Sequence, residues 1–79
     1  MNYIATFGSI HRVLKAEKVL KGRGIPFRLI PTPKNLAPYC DLSITFEEGV
    51  MDEVKKALGE GGVKVIAYYR KEKEGYVKV

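Results

Sequence analysis

Three of the chain's four prolines, Pro31, Pro33 and Pro38, crowd into eight consecutive residues near its middle. Each fixes its own φ, removes a backbone donor and holds the preceding residue extended. Neither a helix nor a central strand can pass through such a segment. Pro31-Thr-Pro-Lys-Asn-Leu-Ala-Pro-Tyr-Cys40-Asp-Leu-Ser43 therefore reads as a stiffened loop that divides the chain in two.

Before the loop, Tyr3-Ile-Ala-Thr-Phe7 reads as a strand, with Tyr3, Ala5 and Phe7 on one face and Ile4 and Thr6 on the other. Gly8-Ser9 ends it, and Ser9 is a good N-cap for a helix from Ile10 to about Lys21. Ile10, Val13, Leu14, Ala16, Val19 and Leu20 form its apolar side, and His11, Arg12, Lys15, Lys18 and Lys21 decorate the rest. Gly22 and Gly24 stop it. After Pro26, Phe27-Arg-Leu-Ile30 reads as a second strand with Phe27 and Leu29 inward.

After the loop, Leu42, Ile44 and Phe46 alternate inward against Ser43 and Thr45. A turn at Glu47-Glu48-Gly49 leads to a helix from about Val50 to Leu58, whose apolar stripe is Val50 or Met51, Val54, Ala57 and Leu58. Gly59, Gly61 and Gly62 end it; they lack the spacing of a phosphate-binding loop. Val63 to Arg70 reads as a fourth strand with Val63, Val65, Ala67 and Tyr69 inward. Lys71-Glu-Lys-Glu-Gly75 is a polar turn, and Tyr76 to Val79 either adds a short fifth strand or frays.

The order β-α-β-β-α-β is the ferredoxin-like pattern of α+β domains. Right-handed crossovers then set an antiparallel sheet of order 4-1-3-2 with both helices on one face. The division is one ferredoxin-like domain over residues 1–70 and a C-terminal polar turn with a short strand or frayed tail over 71–79. In this topology the loops after strand 1, strand 2 and helix 2 share one end. Cys40 is thereby expected near the start of the first helix, with Gly8, Ser9, His11 and Gly61 as its candidate neighbours. A helix N-terminus, an imidazole and nearby cations all favour a thiolate. The adjacent Asp41 works against it.

A single cysteine among 79 residues excludes an intrachain disulfide and a cysteine-rich metal site. One histidine leaves no natural zinc set, so neither a metal nor a cofactor is expected. With 46% hydrophobic residues the chain holds enough apolar material for a core without cross-links. No run is long enough to span a bilayer, and the reading is a cytoplasmic protein in a reducing compartment.

Charge is distributed unevenly within the net +5. Residues 1–40 carry Arg12, Lys15, Lys18, Lys21, Arg23, Arg28 and Lys34 against Glu17 alone, a balance of +6. The rest carries seven basic and eight acidic residues, a balance of −1. Such a half chain invites an anionic partner, whether nucleic acid, an acidic protein surface or a charged small molecule, with Arg12, Lys15 and Arg28 as candidate residues for docking an acidic partner, or is simply a solvated helix face.

Ser9-Ile-His11, Leu14-Lys-Ala-Glu-Lys-Val-Leu20, Gly24-Ile-Pro-Phe-Arg-Leu-Ile-Pro31-Thr-Pro33 and the cysteine closing the loop together resemble the selenium/sulfur carrier protein-like family, over about residues 3–70. The resemblance implies that Cys40 carries sulfur or selenium as a persulfide or perselenide, exchanging it with a donor or acceptor protein. Carriage needs an accessible thiolate and a partner surface, and no cofactor. On this reading the chain is a carrier rather than a stand-alone enzyme.

Two other classes compete. RNA-binding sheets of this topology use aromatics on the open face, but here those positions are Ile4, Thr6, Ser43 and Thr45, and nucleic acid is not expected. A dimerisation or small-molecule module is the other alternative, because Ile4, Ile30, Ile66 and Tyr68 would form an apolar open face that a homodimer hides.

Overall fold

The computed structural model describes residues 1–36 and 41–79. Its elements are β1 (Tyr3–Thr6), α1 (Ile10–Gly22), β2 (Arg28–Pro31), β3 (Leu42–Phe46), a 3₁₀ turn (Glu48–Val50), α2 (Met51–Glu60), β4 (Ala67–Glu72) and β5 (Gly75–Lys78). The five strands form one antiparallel sheet in the order β2-β3-β1-β4-β5. This α+β arrangement is consistent with a ferredoxin-like pattern, with β5 added beyond β4.

Local chemistry sets the ends of α1. Ser9 is extended (φ −158°, ψ 160°), and its Oγ accepts the Arg12 N–H at 3.3 Å. That satisfies one of the donors a helix start leaves free. At the other end Gly24 takes φ +68°, which only glycine adopts without strain. Its N–H reaches Lys21 O at 3.1 Å, and the Ile25 N–H reaches Leu20 O at 3.0 Å.

Val13, Ala16 and Leu20 of α1 and Val54, Ala57 and Leu58 of α2 are buried with Tyr3, Ala5, Phe7, Ile44 and Phe46 in one core. Both helices therefore cover the same face of the sheet. No helix among the described residues is long and apolar enough to cross a membrane.

Five side-chain assignments, at Ile10, Leu14, Leu29, Ala67 and Tyr69, differ from the periodic reading. Ile10 and Leu14 of α1 are exposed, at 43% and 49%. At 100° per residue they lie roughly 60–120° round the helix from the buried Val13 and Leu20, beyond the sector that meets the sheet. Leu29 is also exposed, because β2 is the border strand.

The face of β4 is inverted. Val63 and Val65 do meet the core, but the chain bends at Ile66, and Tyr68 rather than Tyr69 packs inward. The Tyr68 ring meets Phe46 edge-on at 6.4 Å between centroids, and Lys55 Nζ sits 5.3 Å from its centre. Ala67 is buried, but on the far face opposite Thr6.

The outward face of the central strands is itself shielded. Thr6, Ser43 and Thr45 are buried, and Ile4 is only 3% exposed. The hydroxyls stay satisfied: Thr45 Oγ1 donates to Tyr3 O at 2.8 Å and Thr6 Oγ1 to Ala67 O at 3.3 Å. The set Ile4, Ile30, Ile66 and Tyr68 is thus not one exposed apolar patch. Ile4 is covered and Tyr68 lies under the helices.

Candidate functional site

The pairing registers bring three connections to one end of the sheet. Extending the β1–β3 and β1–β4 pairings past Thr6 sets Phe7 level with Leu42 on one side and Ile66 on the other, and Leu42 pairs with Pro31. The Ile66 N–H donates to Thr6 O at 2.9 Å, which fixes that level. The β1–α1 link, both stems of the proline loop and the approach to β4 therefore meet within a few strand spacings of about 4.8 Å each.

The stems of the loop are fastened twice. The Thr32 N–H donates to Asp41 O at 2.9 Å. Above that bond, the Thr32 and Ser43 hydroxyls meet at 2.6 Å, with Ser43 fully buried. Further along, the Leu36 N–H reaches Pro33 O at 3.0 Å and makes a turn. Cys40 lies outside the described residues; its bonded neighbour Asp41 is exposed.

The other candidate residues take distinct places. Gly8 follows Phe7, level with Asp41 when the β1–β3 register is extended. A Cβ built on Gly8 would stand 3.1 Å from Arg12 Nη1 and 3.5 Å from Ile66 Cδ1, so the Arg12 guanidinium folds back over Gly8. Ser9 caps α1. His11 is exposed on the first turn of α1 and makes no side-chain hydrogen bond among the described residues.

Gly61 serves packing between the helices. A Cβ there would come 2.8 Å from Val19 Cγ2 and 3.2 Å from Ala57 O. Gly62 carries the left-handed turn, φ +71°, with Lys15 Nζ 3.8 Å from where its Cβ would be. Arg12 and Lys15 both belong to α1. Arg28 pairs with Thr45 on β3, so alternation sends it to the face away from the helices, and the three do not form one patch.

Periodicity gave no sign of the Thr32–Ser43 bond, because each residue alone reads as an ordinary solvated hydroxyl. The β2–β3 register sets Ser43 opposite Ile30, so the bond to Thr32 is a diagonal contact across the loop stems.

Among the described residues no three His, Asp or Glu side chains gather as a metal site. An open groove of about 250 Å³ lies at the far end of α1, lined by Arg23, Ile25, Glu53 and Lys56. Its Arg23 is held by Glu60 at 2.6 Å, an exposed pair whose guanidinium pulls the Glu60 carboxyl below its usual range.

These features define a small α+β domain whose sheet end gathers a fastened loop, a capped helix start and an arginine. A family model described as "Putative Se/S carrier protein-like" matches residues 2–70, and the chain belongs to that family. No curated protein matches it. No solved structure matches it either.

Proposed function

We propose that this ferredoxin-like domain carries sulfur or selenium on Cys40, as a persulfide or perselenide, between a donor and an acceptor protein. The observation that carries the reading is the family match over residues 2–70, a span that includes the chain's one cysteine. The paired stems lend support. Asp41, bonded directly to Cys40, is held by the Thr32 N–H at the end of the sheet where α1 begins and Arg12 folds over Gly8. A helix start and a guanidinium favour the thiolate, which is the nucleophile.

The loading step balances without a cofactor. The Cys40 thiolate attacks the outer sulfur of a donor persulfide, the donor's S–S bond breaks, and the donor leaves as a thiolate. Cys40 then bears S–SH, with no net oxidation. Delivery repeats the exchange toward an acceptor thiol. A reducing cytoplasm suits such a thiol.

The test is intact mass after incubation with a cysteine desulfurase and cysteine. A reductant-labile gain of roughly 32 Da marks sulfur, and roughly 79 Da with a selenium donor marks selenium. Absence of both gains, or persistence of one in Cys40→Ser, removes the reading.

A further inference from the structure

We infer that the solvent face of α1 is the docking surface for a partner protein that presents carboxylates around an apolar groove. This deepens the carrier reading, on which it rests only for the partner's role as donor or acceptor.

Two observations meet on that helix. Ile10 and Leu14, one turn apart, are both exposed large aliphatics. At 100° per residue they lie within about 40° of each other, and Lys18 continues the same line a turn later. Side chains at i and i+4 form one continuous strip. Val13, Ala16 and Leu20 already supply the face that meets the sheet, so this pair is surplus to the core. On the opposite flank Val19 packs against Gly61 and Lys15 reaches Gly62, so Ile10 and Leu14 lie on the side turned away from α2.

Lys18, which continues the strip, makes no ion pair among the described residues, and neither do Lys15 and Arg12, about 100° and 160° round the helix from Leu14. The first turn of α1 has no acidic residue, although a helix start favours one. Glu17 is engaged by Lys21 at 3.4 Å. An acidic rim on the partner would supply the missing carboxylates. The aliphatic pair decides between protein and nucleic acid: a phosphate backbone rewards the lysines alone, whereas an apolar groove rewards Ile10 and Leu14 as well.

The experiment uses the full chain, isotope-labelled, titrated with a synthetic helical peptide that has leucines on one face and glutamates elsewhere. Polyglutamate of equal length and a single-stranded RNA oligomer serve as comparators. Amide shifts should concentrate at Ile10, Leu14 and Lys18. The peptide should bind at least about tenfold tighter than polyglutamate. Leu14→Gln, which keeps a good helix former, should cancel that advantage, and Lys18→Glu should weaken binding in a salt-dependent way.

Equal affinity for peptide and polyglutamate would overturn the inference. So would RNA binding as tightly at the same amides, or self-association of the chain through Ile10 and Leu14. Cys40→Ser should bind the peptide normally. Failure of sulfur loading with intact docking would thus remove the carrier reading alone, and the converse would remove the docking surface alone.

Discussion

Gly61→Ala separates packing from chemistry at the end of α2. A Cβ at this position would stand 2.8 Å from Val19 Cγ2, 3.2 Å from Val19 Cγ1 and 3.2 Å from Ala57 O. Carbon atoms pack best at about 3.5–4.0 Å, so the two helices must part by up to roughly 1 Å or Val19 must leave its rotamer. Overpacking of this kind costs about 1–3 kcal/mol. The backbone itself tolerates alanine, with φ −79° and ψ −1°, and losing a glycine from the unfolded chain returns about 0.4–1 kcal/mol. The net expectation is a loss of about 0.5–2 kcal/mol. Urea denaturation followed by far-ultraviolet circular dichroism reads this directly. In a Val19→Ala background both valine contacts vanish, and the same Gly61 substitution should become nearly neutral, a coupling of about 1–2 kcal/mol. Alkylation of Cys40 as a function of pH should not change in Gly61→Ala. Equal losses in both backgrounds, or a shifted thiol titration, would refute the assignment of this glycine to helix packing.

Other substitutions test the remaining contacts. Ser9→Ala deletes the acceptor for the Arg12 N–H and should cost about 1 kcal/mol, read as a lower urea midpoint. Ser43→Ala leaves the Thr32 hydroxyl without its buried partner; a loss of about 1 kcal/mol and faster hydrogen exchange at the Thr32 amide are expected. Half-burial raises the Tyr68 phenol above its ordinary value of 10.0. Its contribution is therefore present below that value and is lost as pH climbs through the raised folded value. Tyr68→Phe should flatten that part of the alkaline loss of stability, measured as the difference between the two proteins in urea titrations above pH 9.

The legible parts of the fold are those where one local signal dominates. Ser9 ahead of Ile10 announces a cap, Gly24 a left-handed exit, and Leu42 to Phe46 a clean alternation. The elements that misled are those where tertiary placement overrides the local pattern. Val63, Val65, Ala67 and Tyr69 alternate in sequence, but the bend at Ile66 shifts the phase, and nothing in the residues marks it. Ser43 and Thr45 look solvated, yet both are buried and each hydroxyl finds a partner. Ile10 and Leu14 look like core because helical spacing cannot tell the sector that meets the sheet from the one beside it. The same holds for the candidate site. The topology implied by the strand and helix order was enough to bring Gly8 toward the loop stems. The roles of Gly61 and Arg28 depended on one packing contact and one register.

The ledger of surfaces bears on how so small a domain recognises partners. One sheet face is spent on the core and the other is shielded over β1 and β3. The border strand β2 is short and carries Pro31, which cannot donate to another strand. Besides the opposite border at β5, an incoming protein is then left with the outer faces of the helices. Of these, α1 starts at the end of the sheet where the Thr32 N–H grips Asp41, and it combines exposed aliphatics with a Lys18 that makes no ion pair among the described residues. A partner that grips α1 by its first two turns is brought to the loop stems by geometry alone, without any rearrangement of the sheet. Specificity can then reside in a helix face while transfer chemistry resides in the loop, so substitutions at Leu14 should change the rate of loading from a partner protein and leave the reaction of Cys40 with a small alkylating agent untouched.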